Sequence, residues 1–153
     1  MDFKQGLITV ITGMLGTVGF SLLFKAPKRR VFLNAMGGML TSLVYVLCCD
    51  GFDNEFFQNF FPALAATIYA EVMARFVKAP ATPILACSII PLVPGGKLYY
   101  TTYYLVIGEM EMFRGTLMEL LRIASGLAVG IICISVVVHE INRQKFKQII
   151  DVE

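Results

Sequence analysis

The residues best suited to chemistry follow a break in an apolar stretch near the middle of the chain. Residues 80–104 read PATPILACSIIPLVPGGKLYYTTYY, which is long enough to cross a bilayer but is interrupted by a Pro-x-x-Pro-Gly-Gly element. Pro91 and Pro94 each lack an N–H, and each ring clashes with the carbonyl four residues before it. Lipid cannot satisfy the backbone groups that such a break frees, so the break must lie inside protein or beside a wet cavity. The pattern therefore predicts a solute site at the break.

The residues after the prolines predict how this site would bind a solute. Gly95 and Gly96 permit positive φ, so the helix is expected to stop there and restart. The restart leaves free N–H groups whose partial positive charge favours an anion such as a carboxylate. Lys97 would add a full positive charge; the alternative is that it caps carbonyls freed by the prolines. About half of the following Tyr and Thr residues can face a cavity, and Tyr99 and Thr102 are the candidates.

A second candidate is an acid–base pair inside an earlier apolar stretch. Glu71 and Arg75 are four residues apart, in the order that favours an ion pair on one helix face. A carboxylate inside a membrane span is a candidate for a proton or substrate relay, because its burial is costly. The alternative is a structural pair near the end of the span. Glu119 and Arg122, nearer the other boundary, are interpreted as snorkelling or locally paired.

The composition indicates a membrane protein and gives no support for an enzyme. Of the 153 residues, 57% are hydrophobic and 16% are charged, far from an average soluble domain. The net charge of +2 is too small to suggest a nucleic-acid partner. The four cysteines lack zinc-ligand spacing and are interpreted as buried small residues, and His139 is the only histidine. No catalytic residue, metal site or cofactor is predicted.

The apolar residues form five blocks, each about the length of a membrane span. The sequence predicts an all-α integral membrane protein with one transmembrane domain over residues 1–153 and a short basic cytoplasmic tail at 139–153. The fourth span is expected to be broken at Pro91–Gly96. The predicted spans are about 6–24, 31–49, 56–77, 81–107 and 116–138.

The charges between the blocks predict an orientation in the cell membrane. Basic residues follow the first, third and fifth blocks, whereas acidic residues dominate after the second and fourth. The positive-inside rule then places the N-terminus outside and the C-terminus in the cytoplasm. A re-entrant hairpin in the fourth block would instead put the basic tail outside, so a single crossing is favoured.

Glycines at short spacing in the first and last blocks predict close helix packing. Small residues let membrane helices approach each other without a hydrophobic driving force. The last block's glycine face, which also carries Arg122 and Cys133, is expected to point into protein. The glycines concerned are Gly13, Gly16 and Gly19 in the first block, and Gly126 and Gly130 in the last.

Three segments together resemble the threonine/serine exporter family in its short, single-half form. They read V-G-F-S-L-L-F-K-A-P, E-V-M-A-R-F-V-K-A-P and I-I-P-L-V-P-G-G-K-L-Y, and the resemblance runs from about Gly6 to Val138. It implies export of small amino acids or dicarboxylates, powered by an ion gradient, together with a longer partner subunit. The positions that match the family pattern are Glu71, Arg75, Pro80, Pro91, Pro94, Gly95, Gly96 and Tyr99.

An odd number of spans fits a protein that forms only half of a transporter. A related second half would then have the opposite orientation and complete an inverted repeat. The partner would be a longer membrane subunit of the same family or a second copy of this chain. The expected function is a membrane subunit of a secondary exporter for a small carboxylate-bearing solute. The alternative is a scaffold subunit that orients its partner without transporting.

Overall fold

The computed structural model describes residues 3–150, with the side chains of residues 3–144, and this part of the chain is helical without a strand. Four helices are long and apolar enough to cross a membrane, and a bent pair can form a fifth span. The predicted all-α membrane fold is confirmed. The elements are α1 (Phe3–Leu23), α2 (Lys28–Gly51), α3 (Glu55–Val77), α4 (Ala81–Ser88), a 3-10 turn (Ile90–Leu92), α5 (Gly95–Ile107) and α6 (Met110–Ile150).

The bent pair is α4 and α5, and the break between them lies at the predicted prolines. The two halves meet at 41°, because Pro91 and Pro94 cannot donate the hydrogen bonds that would continue the helix. Helix α5 restarts at Gly95, but neither Gly95 nor Gly96 uses the positive φ that glycine permits. Among the described glycines only Gly108 has a positive φ, of 82°, so the chain restarts its helix with ordinary right-handed geometry.

The same three residues, Lys-Ala-Pro, form the turn between α1 and α2 and the turn between α3 and α4. Lys25 and Lys78 have φ values of 52° and 50°, and Ala26 N donates to Ser21 O at 2.9 Å, a bond that Ala79 N repeats with Ala74 O at 3.0 Å. This is the Schellman end of a helix, which normally carries glycine. A lysine at positive φ costs about 1 kcal/mol, so each of the two turns carries this conformational cost.

Helices α1, α2 and α4 pack through small residues. An added Cβ at Gly38 would lie 2.0 Å from Thr17 Oγ1, and one at Gly37 would lie 2.1 Å from Ser88 Oγ. The buried hydroxyls are satisfied because each donates to a carbonyl four residues earlier, as Thr17 does to Gly13 O at 2.9 Å. Such contacts replace a large apolar core, as expected where lipid is as apolar as the side chains.

Only one of the three glycines predicted to pack in α1 does so. A Cβ at Gly13 would lie 2.0 Å from Ser42 Oγ, but one at Gly16 or Gly19 would meet nothing within 4 Å. The expectation is wrong for the latter two because positions three apart drift around a helix of 3.6 residues per turn. One helix face therefore cannot present all three glycines to the same neighbour.

Helices α3 and α6 are parallel and in close contact. A Cβ at Gly126 would lie 2.4 Å from Phe56 O, and one at Gly130 would lie 2.8 Å from Phe60 O. Further along, Asn142 lines the same hollow as Glu71. The parallel direction of α3 and α6 favours a single broken crossing by the bent pair α4 and α5. Arg122 and Cys133 are exposed, and the expectation that they point into protein is wrong.

The hairpin formed by α5 and the first part of α6, residues 95–122, extends beyond the other helices. Helix α6 begins 16 residues before Gly126, which lies beside the first turn of α3. At about 1.5 Å per residue, the hairpin projects about 20 Å past the start of α3. Helix α5 packs mainly against α6, and Gly108 turns the chain between them. The hairpin is therefore the part of the bundle with the fewest neighbours.

At its other end, α6 is continuous to Ile150. The first residues of the predicted tail at 139–153 therefore extend the last helix. Arg143 is exposed and lies 3.8 Å from Glu140. The tail's other basic side chains, Lys145 and Lys147, lie outside the residues whose side chains the structure describes.

Candidate functional site

A cavity of about 420 Å³ lies against the break in the fourth span. One wall is the break itself, and the opposite walls are the first turns of α3 and parts of α2 and α6. The lining combines carboxylate, ammonium, amide and phenol groups with apolar surface, as in sites for small polar ligands. Its residues are Tyr45, Glu55, Gln58, Asn59, Pro91, Leu92, Val93, Pro94, Gly95, Gly96, Lys97, Tyr100 and Ile123.

Three charged side chains from three helices meet at this cavity. The ammonium group of Lys97 on α5 donates a hydrogen bond to Glu119 Oε2 on α6 and lies 3.7 Å from Glu55 Oε1 on α3. No hydrogen bond from Lys97 Nζ to a backbone carbonyl occurs in the described part of the chain, so the carbonyl-capping alternative is wrong. With all three groups ionised, the cluster carries one net negative charge.

Two kinds of unpaired polar group remain beside the cluster. Glu55 Oε2 is buried and has no hydrogen-bond partner among the described residues. At the start of α5, Gly95 N donates to Val93 O and Leu98 N donates to Pro94 O. The N–H groups of Gly96 and Lys97, between them, have no such backbone partner in the described chain. The cavity thus has a partly exposed carboxylate on one wall and helix N-terminal donors on another.

A second cavity of about 290 Å³ lies on the other side of the break, between α1 and α2. Tyr45 and Pro91 line both cavities and separate them. Its remaining lining is mostly hydroxyl groups and glycines, including Thr9, Thr12 and Ser42. The break therefore borders open, partly polar space on two sides, which agrees with the requirement that irregular backbone in a bilayer be sheltered from lipid.

The structure brings together five of the residues predicted for the site and leaves two others outside it. Pro91, Pro94, Gly95, Gly96 and Lys97 all line the larger cavity. Tyr99 is 67% exposed and stacks on Tyr103 with 6.5 Å between ring centroids. Thr102 is exposed and donates to Leu98 O at 2.9 Å. Tyr100 lines the cavity instead, because it lies three residues from Lys97 on the same face of α5.

The other predicted pair, Glu71 and Arg75, lies at the opposite end of α3. Glu71 follows Glu55 by 16 residues, which corresponds to about 24 Å along the helix. Both residues line a separate hollow with Lys78, Pro80 and Asn142. The ion pairs found among the described residues do not include Glu71 with Arg75. The pair is therefore spatially distinct from the break.

Sequence reasoning missed the wall of the cavity that α3 provides. Glu55, Gln58 and Asn59 line it, and from the sequence alone Glu55 is only one of the acidic residues after the second block. Their spacing, i, i+3 and i+4, places all three on one helix face and was a usable signal. The sequence predicts that Glu119 snorkels or pairs locally, whereas it pairs with Lys97 across the hairpin. No local spacing reveals that contact.

The described residues offer no group of three or more His, Cys, Asp or Glu side chains that could hold a metal ion. The four cysteines are free, and only Cys48 and Cys87 are buried. Cys133 is exposed and Cys49 is partly exposed, so the interpretation of all four as buried small residues is wrong for these two.

Comparison with known protein families identifies one matching family model. The model described as "Threonine/Serine exporter, ThrE" matches residues 9–137, which include α1 from its second turn, the whole break and most of the apolar part of α6. Neither comparison with curated proteins nor comparison with solved structures gave a significant match.

Proposed function

Because the chain belongs to the threonine/serine exporter family, we propose that it is a membrane subunit of a secondary exporter of small amino acids. The chain is a multi-pass membrane protein of exporter type, and its family is one of exporters and not of enzymes. The observation that carries the proposal is the cavity at the break, where Lys97 lies between Glu55 and Glu119. Broken membrane helices supply substrate sites of this kind in other transporters.

The charges around the cavity favour an amino acid over a dicarboxylate. A zwitterion can place its ammonium group at the partly exposed Glu55 carboxylate and its carboxylate at the free N–H groups that begin α5. No acidic residue lies in the first turn of α5 to oppose that carboxylate. A dicarboxylate would instead bring two negative charges to a cluster that already has a net negative charge. We therefore place threonine and serine ahead of succinate as solutes.

A partner subunit is supported by the exposed surface of the α5–α6 hairpin. Eleven large apolar side chains between Leu98 and Leu121 are each 46–79% exposed. At about 100 Å² each they expose about 1,000 Å², which is enough for one side of a standard interface. The hairpin projects about 20 Å past the start of α3, and the hydrocarbon layer of a bilayer is about 30 Å thick. This layer cannot enclose both the hairpin and the far end of α3. A longer subunit of the same family, or a second copy, would cover it.

Efflux measurements test the transport function. Cells that express this chain together with a candidate longer subunit are expected to export labelled threonine and serine faster than succinate, and the chain alone is expected to export little. Gly95→Leu adds bulk at a residue that lines the cavity, and its Cβ meets nothing within 4 Å. It is expected to reduce efflux at least tenfold, while Gly95→Ala reduces it much less.

Membrane levels and co-purification with the partner are the controls for these variants. If Gly95→Leu assembles normally and exports at the wild-type rate, the cavity is not the transport site and the scaffold alternative is favoured.

Glu71→Gln examines the second candidate position. We propose that Glu71 and Arg75 couple export to the ion gradient from the opposite end of α3, and Glu71→Gln should then abolish accumulation against a gradient but leave solute exchange intact.

We also propose that the N-terminus lies outside the cell and the C-terminus in the cytoplasm. The Lys-Ala-Pro turns then face the cytoplasm together with Arg75 and Arg143, as the positive-inside rule requires. A single cysteine at Asp53, in a chain whose own cysteines are replaced by serine or alanine, is expected to react with a membrane-impermeant maleimide in intact cells. A cysteine at Lys28 should react only after lysis, and the opposite pattern would reverse the orientation.

A further inference from the structure

A hollow of about 350 Å³ lies beside the first Lys-Ala-Pro turn and is separate from the cavities at the break. It is bounded by the end of α1, the first turns of α2 and the first turns of α4. Its rim carries two cations, Lys25 and Arg30, and its apolar walls include Phe24, Pro83 and Ile84.

The two cations at the rim have no anionic partner in the protein. No ion pair among the described residues involves Lys25 or Arg30. Lys25 also occupies the left-handed position of the turn, with φ of 52°, where glycine would relieve the strain. The left-handed conformation belongs to the turn itself, since Lys78 adopts it in the second copy. What points to a ligand is that two cations without an anionic partner line one hollow.

One residue that lines the hollow carries an unpaired, buried acceptor. Asn34 lines it and is only 3% exposed, and its amide nitrogen donates to Ser21 Oγ at 2.9 Å. Asn34 Oδ1, in contrast, has no hydrogen-bond partner in the described chain. A buried acceptor without a partner costs about 1–3 kcal/mol, so a ligand or water that donates to it would be stabilising.

We propose that this hollow binds a phosphate group, with Lys25 and Arg30 on the phosphate oxygens and a hydroxyl or ammonium donor of the ligand at Asn34. Arginine and lysine are the residues that bind phosphate most strongly, and basic pockets between membrane helices bind anionic headgroups. The apolar side chains beside the rim suit a lipid, since Phe24 is 62% exposed and Leu23 is 72% exposed. The site is independent of the solute site at the break.

Binding to the purified full chain tests the proposal. Native mass spectrometry in detergent would compare phosphatidylglycerol with diacylglycerol, which lacks the phosphate, and a separate titration would use inorganic phosphate. The double variant Lys25→Gly, Arg30→Gln is expected to bind phosphatidylglycerol at least about tenfold more weakly. Lys25→Gly suits the backbone of the turn, so loss of binding cannot be attributed to a strained fold.

Matched variants in the same basic segment distinguish a site from general surface charge. Lys28→Gln, Arg29→Gln removes two neighbouring charges that do not line the hollow and is expected to bind nearly as the wild type does. Lys25→Arg, Arg30→Lys keeps both charges and should retain binding. If the chain binds the lipid but not inorganic phosphate, the ligand of the hollow is a lipid headgroup. If it binds inorganic phosphate but not the lipid, the ligand is free phosphate. Equal binding of diacylglycerol, or equal losses in the two double variants, would overturn the proposal.

Discussion

Lys97→Met is expected to reduce threonine efflux at least tenfold while the protein still reaches the membrane. The substitution leaves two carboxylates, Glu55 and Glu119, without the cation that now pairs with both. The interaction free energy lost with Lys97 should lie between the roughly 1 kcal/mol of an exposed ion pair and the roughly 3–5 kcal/mol of a buried pair that loses one partner. The Lys97 side chain is 42% exposed, so the lower half of that range is expected. A loss of about 1.4 kcal/mol in solute binding corresponds to a tenfold weaker affinity.

A charge exchange separates electrostatic pairing from other effects of the substitution. Lys97→Glu and Glu119→Lys are each expected to lose threonine efflux when made alone. The double variant should recover part of the efflux, because it restores the ion pair with reversed polarity. The difference from additivity measures the coupling between the two positions. Lys28→Met, at the opposite end of the bundle, is the control and should export normally. If Lys97→Met also exports normally, the charge cluster has no part in transport.

Gly126→Leu is expected to have the largest effect on folding, because it separates the two parallel helices α3 and α6. An added Cβ would lie 2.4 Å from the backbone oxygen of Phe56, and backbone cannot move aside as a flexible side chain can. Overpacking of a well-packed core costs about 1–3 kcal/mol and occasionally more. We therefore expect the free energy of unfolding to fall by about 3 kcal/mol, with low levels of folded protein.

Thermal unfolding in detergent and cross-linking between α3 and α6 would measure this loss. Gly19→Leu is the matched control, since its Cβ meets nothing within 4 Å, and it should unfold at the wild-type temperature. Gly13→Ala is an intermediate case, because its Cβ would lie 2.0 Å from Ser42 Oγ, which can rotate, and 3.2 Å from Pro91 Cβ. A stable Gly126→Leu protein with an intact α3–α6 cross-link would contradict the packing described here.

Much of the fold followed from local patterns in the chain. Apolar length predicted the spans, and the chemistry of Pro91 and Pro94 predicted the break, because a missing N–H has the same consequence wherever the helix lies. Glycine spacing was less reliable. It predicted the contact face at Gly126 and Gly130, but also at Gly16 and Gly19, which face open space. A short glycine repeat does not indicate which face of the helix has a neighbouring helix.

The site was predicted in part, and the part that was missed depends on contacts between distant segments. The sequence itself determined that a break with Lys97 beside it must be sheltered within the membrane, because lipid cannot satisfy the freed backbone groups. Only the tertiary structure decided what Lys97 contacts. Parallel packing of α3 on α6 brings Glu55 and Glu119 to its two sides, although they are 42 residues before and 22 residues after it in the chain. Such pairing depends on how the helices pack, and no spacing within a single helix encodes it.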